Sequence, residues 1–319
     1  MKIRVPMVFA FALVVAGFAP GSAILPAVSA AQPVPAADPN QEWRSNLAQW
    51  RAQRERDLAT PDGWLTLVGL EWLQPGVNSV GAAADNRIRI HAQAPDHIGL
   101  LTAAGQTVQI LAPNSGFPPG LTINGKPPRE GPLAVDDVEP SVIAWHGLSM
   151  VVLHRGDRFA LRIKDANAPT RTSFHGLNWY PPNLHLVVEA RWIPFTPRHI
   201  EKIPTVIGTT INLPAPGVAR FTLNGQTLNL EPVLEDSAGK VLFFILRDQT
   251  SKTTTYEAAR FLHTPLPDNG LEKPGTLYLD FNRLENPPCA YTAFATCPLP
   301  PEQNRLPVAI EAGEKRFAQ

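Results

Sequence analysis

The chain has 319 residues, 44% of them hydrophobic and 18% charged, with 28 Lys+Arg balanced by 28 Asp+Glu for a formal net charge of zero. That is enough apolar material for one large domain or two ordinary ones. The lack of a basic excess argues against a nucleic-acid binder and against an electrostatic membrane anchor.

Lys2 and Arg4 precede an apolar run over residues 5–18, and small residues follow up to Val28-Ser29-Ala30. This is the pattern of a cleaved signal peptide over residues 1–30. The run is shorter than the roughly 20 residues of a spanning helix, so no membrane span is expected after cleavage. Residues 31–39 are Pro/Ala-rich and read as a disordered tether. The expected location is periplasmic or extracellular. In such an oxidising compartment Cys289 and Cys297 are expected to close a disulfide, with free thiols as the alternative.

Residues 41–58 predict an amphipathic helix, because Trp43, Leu47, Trp50, Arg54 and Leu58 recur at spacings of three and four. Arg44, Arg51, Glu55 and Arg56 are left for its solvent face. After Pro61-Asp62-Gly63 the pattern changes to short runs of sheet: 64–73, 87–91, 98–102, 108–111, 121–123, 142–145, 150–154 and 159–165. Asn124-Gly125 signals a hairpin turn, since both residues tolerate positive φ. In 159–165, Arg162 and Lys164 should share the face opposite Leu161 and Ile163. Strands resume at 184–192, 199–206, 209–213 and 218–223, with a second hairpin signal at Asn224-Gly225. Further strands are predicted at 228–233, 241–246, 253–256, 277–281 and 308–310. Frequent turns and a single convincing helix predict an all-β fold, an antiparallel sandwich or partly closed barrel with a Pro-rich C-terminal loop. Residues 40–319 form this β-rich region, as one unit or as two halves dividing near 181.

Three segments carry a family resemblance: Gly63-Trp64-Leu65-Thr66-Leu67-Val68-Gly69-Leu70-Glu71-Trp72-Leu73, Arg155-Gly156-Asp157-Arg158-Phe159-Ala160-Leu161-Arg162-Ile163-Lys164-Asp165, and residues 280–315. The sequence resembles the family called domain of unknown function 1684 (DUF1684) over nearly all of the chain beyond the leader. The resemblance implies a bacterial protein with a β-rich fold and carries no activity with it.

No Gly-x-Ser-x-Gly elbow, His-Glu-x-x-His helix, phosphate loop or Gly-x-Gly-x-x-Gly turn is present. Eight histidines lack ligand spacing, so neither a metal nor a cofactor is expected. The candidate constellation joins Arg162, Tyr256, Arg260, Asp280, Asn282 and Asn286 around one cavity, where arginines would hold a small anion by bidentate hydrogen bonds. The bland alternative is a buried network bracing the strands, with Arg260 paired to Asp280. Asp280 and Glu314 are the candidate catalytic bases. The leading expectation is therefore binding of a small polar or anionic ligand. The rivals are a metal-independent hydrolase or lyase in the same cavity and a structural or interaction domain of the cell envelope. Protein partners are unknown.

Overall fold

The computed structural model describes residues 40–135, 139–235 and 239–317. The expected leader and tether over 1–39 lie outside them. Helix α1 (Gln41–Leu58) falls where the tryptophan spacing placed it. The Asn40 carbonyl accepts the Arg44 N–H at 3.0 Å, opening the first turn. Leu47 and Leu58 are buried beneath it. Glu55, expected on the solvent face, instead accepts the Leu177 backbone N–H and the Trp179 indole N–H, each at 3.0 Å. Arg51 lies 4.8 Å over the Trp179 ring. The polar flank of α1 is thus a docking face too.

The strands up to residue 165 are β1 (Leu67–Trp72), β2 (Gly76–Gly81), β3 (Ile88–Arg89), β4 (Gly99–Ala104), β5 (Thr107–Leu111), β6 (Thr122–Ile123), β7 (Gly131–Leu133), β8 (Ile143–Trp145), β9 (Leu148–Arg155) and β10 (Arg158–Asp165). They form two sheets, β1-β10-β9-β8-β6 and β3-β2-β4-β5-β7. Met150, Val152, Phe159, Leu161 and Ile163 from the first sheet share one core with Val80, Leu101, Val108 and Ile110 from the second. Burying each such side chain contributes about 1.5–3 kcal/mol, which is what holds two facing sheets as a sandwich. Arg162 and Lys164 point the other way, 5.4 and 5.9 Å from the Trp64 ring centre, as the alternation of β10 requires.

After the single turn α2 (Pro169–Thr172) come β11 (Val187–Pro204), β12 (Thr210–Leu223), β13 (Gln226–Leu230), β14 (Val241–Leu246), β15 (Arg260–Pro265) and β16 (Gly275–Asp280). Their sheets are β13-β12-β11-β16 and β14-β15. Two expected strands, 184–192 and 199–206, are one strand, β11. Its pairing with β12 slips between Pro194 and His199, where Pro194 and Pro197 have no N–H to give the ladder. β14 is sandwiched between two layers: Leu242, Phe244 and Leu246 face one core cluster, Phe243 and Ile245 another. Asn124 and Gly125 have φ of 52° and 71°, and Asn224 and Gly225 have 51° and 75°, as the two hairpin signals require.

Two expected strands are not formed. At 253–256 the N–H groups of Thr253, Thr254 and Thr255 all donate to the Thr250 carbonyl, so local turn bonding overrides the β propensity of threonine. Residues 308–310 run irregularly, with the Gln249 N–H donating to the Val308 carbonyl at 2.9 Å. The architecture is mostly β and sandwich-like, with no closed barrel among the described residues. No helix among them is long and apolar enough to cross a membrane.

The Pro-rich tail lies across the β11–β16 layers, and Leu284, Leu306, Val308, Ile310 and Ala312 join their core. Gly313 makes this possible. It sits at φ +74°, and a Cβ there would stand 2.3 Å from the Leu284 carbonyl oxygen. The close approach lets the Glu314 N–H donate to that carbonyl at 2.8 Å and turns the Glu314 side chain inward.

Candidate functional site

The six residues expected to share one cavity do not line one. Arg260 is 1% exposed. Its Nη1 lies 2.8 Å from Asp248 Oδ2 and 2.9 Å from the Ile310 carbonyl, and its Nη2 donates to the Ala312 carbonyl. Asp248 Oδ1 in turn accepts the Thr250 N–H and hydroxyl and the Ile310 N–H. This clamp ties the tail to β15. Its carboxylate is Asp248 and not the expected Asp280, because β14 ends beside the start of β15 and delivers Asp248 there.

Arg162 and Tyr256 gather around the cysteines. Both thiols feel the positive charge of Arg162. Burial, followed by the nearby thiols and Glu257, pushes the Tyr256 phenol up to about 12. The expected disulfide is not formed: Cys289 and Cys297 are free and not at bonding distance. Asn282 is fully buried, with its amide clasping the backbone of Asn183 at 2.8 Å on each side.

Asn286 and Glu314 belong to a second interior network. Glu314 accepts from Arg54 Nε at 3.0 Å, the Asn286 N–H at 2.8 Å and the Tyr291 hydroxyl at 2.5 Å. Arg54 Nε is also 3.3 Å from Glu285 Oε2. One guanidinium therefore serves two carboxyl groups. Their charges hold the Arg54 pKa above its ordinary value in spite of burial. Glu314 has three donors. Glu285 has fewer, and burial pushes its pKa up; Arg54 opposes this and Glu314 adds to it. Burial and Glu314 raise the Tyr291 phenol far above its usual value, so it stays a donor.

Glu285 opens onto a cleft of about 510 Å³, which Trp50, His263, Tyr278, Asp280 and Arg283 also line. Strand alternation explains this lining. Leu262 in β15 and Leu277 and Leu279 in β16 point into the core, so His263, Tyr278 and Asp280 point out. His263 Nδ1 is 3.6 Å from Glu285 Oε1, and its Nε2 is 3.3 Å from Glu235 Oε2, so the imidazole stands between two carboxyl groups. Arg283 lies 5.5 Å over the Trp50 ring and 3.4 Å from Asp280 Oδ2.

Asp280 is the member of the expected set that lines this cleft. It is heavily engaged: Oδ2 accepts the Trp43 indole N–H at 3.0 Å, and Oδ1 accepts the Asn282 N–H and side-chain amide. Glu314 lies behind the cleft, fully buried. Trp50, His263, Arg283 and Glu285 were not in the expected constellation. The signal that could have found them is the outward phase of β15 and β16 opposite the tryptophan face of α1. Elsewhere His199, Glu201 and Glu231 hold ligand-type atoms within 4.8 Å of one another on an exposed to half-buried surface, a grouping no sequence spacing suggested.

Comparison with curated proteins finds no match. Among solved structures, an uncharacterised protein of Haloarcula marismortui is 29% identical, over 46% of this chain and 79% of that one, with a TM-score of 0.38. A chain from a structural and functional analysis of phosphothreonine-dependent FHA domain interactions is 19% identical, over 31% of this chain and 96% of that one, with a TM-score of 0.20. Likenesses this distant carry no functional argument. The family model described as "Protein of unknown function (DUF1684)" matches residues 172–315, taking in the motif at 280–315 but not those at 63–73 and 155–165, and it is the family that the sequence resembles.

Proposed function

We propose that the protein binds a small polar ligand in the cleft between α1 and the outward face of β15 and β16. The observation that carries this reading is the convergence of His263, Asp280, Arg283 and Glu285 on one cleft beside the Trp50 and Tyr278 rings. Two carboxyl groups, a guanidinium and an imidazole offer both donors and acceptors, and the aromatic rings offer stacking surfaces. That chemistry suits a ligand with mixed donors and acceptors, such as a sugar or an amino acid. A simple anion is less well served, because, of the two arginines expected to hold it, Arg260 is sealed in the core and Arg162 stands by the cysteines, away from the cleft lining. The leader pattern in residues 1–30 supports a site of action outside the cytoplasm.

Glu285 favours one second reading, metal-independent hydrolysis or elimination. A carboxyl group whose pKa is raised by burial, next to an imidazole in an open cleft, is suited to give and take a proton. A thermal-shift panel of sugars, amino acids and dicarboxylates on wild type and His263→Ala tests both readings. A binder at 100 times its Kd should stabilise wild type by about 2.7 kcal/mol and the variant much less. If no compound shifts wild type, the binding reading fails. If one binds but is never turned over, the enzymatic reading fails.

A further inference from the structure

Cys289 and Cys297 are eight positions apart, and each backbone N–H donates to the other's Sγ, Cys289 N to Cys297 Sγ at 3.1 Å and Cys297 N to Cys289 Sγ at 3.4 Å. Two such bonds hold both sulfurs on the inner side of one short loop. Each end of the loop is pinned. The Ala290 N–H donates to the Pro287 carbonyl at 2.9 Å, and the Val206 N–H donates to the Cys297 carbonyl at 3.0 Å. Cys289 is half-buried and Cys297 buried, so a small reagent meets Cys289 first.

We propose that Cys289 and Cys297 form a reversible dithiol–disulfide couple that exchanges with small linear disulfides, Cys289 attacking and Cys297 resolving. Cys289 loses its proton to water, and its thiolate attacks one sulfur of R–S–S–R. That S–S bond breaks, and the first RS⁻ leaves and is protonated by water. Cys297 then gives up its proton and attacks Cys289 Sγ in the mixed disulfide, expelling the second RS⁻. The two cysteines are oxidised to one disulfide and the small disulfide is reduced to two thiols, so no other oxidant is required.

The surroundings divide the roles. The Cys297 thiol and amide donate to Cys289, and Arg162 adds a positive charge, which together lower the Cys289 pKa against its burial. Cys297 is raised by the same contact and by burial, so it stays protonated until the mixed disulfide has formed. Preformed geometry matters because the sulfurs need only rotate and close a short gap, with little loop entropy left to lose. The couple does not depend on the cleft or on its ligand.

The test uses the full chain in mixtures of reduced and oxidised glutathione, quenched in acid, alkylated with a maleimide and weighed intact. Wild type should pass in one transition from two alkylated thiols to none, with the mass of two hydrogens lost. Trypsin releases residues 284–305 as one peptide carrying both cysteines, which locates that loss without any variant. Cys297→Ser should accumulate a single glutathione adduct on Cys289, and Cys289→Ser should react at Cys297 about tenfold more slowly. Wild type that ends with one or two stable glutathione adducts and no internal disulfide overturns the proposal. Equal rates in the two variants overturn the assignment of roles.

Discussion

Arg260 and Arg54 both hold carboxyl groups inside the region braced by the C-terminal tail, yet they do different things there. Arg260 meets one carboxylate, Asp248, and two tail carbonyls in a space closed to solvent. Arg54 meets two carboxyl groups, Glu314 and Glu285, and the second reaches the cleft. A balanced count of charges gives a clamp. An uneven count leaves one acid short of a partner, and that acid acquires a shifted pKa at the edge of open space. Charged clusters read from sequence look alike in both cases, so the count of partners and the nearness of solvent separate bracing from chemistry.

Breaking the clamp should have the largest effect. Arg260→Ala leaves Asp248 buried without its cation and should cost about 3–5 kcal/mol in denaturant unfolding. A loss below about 1 kcal/mol would mean that Asp248 finds water or another donor, and the contrast with Arg54 would lose its basis.

Glu285→Gln tests the other centre through pH. The folded pKa of Glu285 is raised, so its contribution to stability is full below the unfolded value and is lost as pH rises through the folded value. The variant cannot ionise, so its stability should fall less than that of wild type between acid and neutral pH. Parallel pH–stability curves for the two proteins would show that Arg54 fully neutralises Glu285.

Trp50→Ala should have the smallest effect on the fold. It removes a half-buried ring with its edge-on contact to Trp179 at 5.6 Å and its cation–π contact with Arg283, together worth about 1–2.5 kcal/mol. The ligand-dependent thermal shift should disappear all the same. If the shift survives intact, the ligand lies away from the helix side of the cleft.

Much of the framework was legible beforehand for local reasons. The spacing of Trp43, Leu47, Trp50 and Leu58 marks α1 because a helix repeats every 3.6 residues. Asn124-Gly125 and Asn224-Gly225 mark their turns because few other pairs accept two positive φ angles in succession. Leu161 and Ile163 separate from Arg162 and Lys164 because strand side chains alternate. Where local turn bonding competed, as at Thr253 to Thr255, the same reasoning placed a strand that does not exist.

Partnership was not legible. Nothing near Arg260 in the chain distinguishes Asp248 from Asp280, and nothing near Glu285 announces Arg54, which stands on a helix more than two hundred residues earlier. Patterns of period two or 3.6 are set by the backbone of each segment, so they can be read one residue window at a time. Which guanidinium meets which carboxylate depends on how strands and tail cross, and that crossing is a property of the whole packed core.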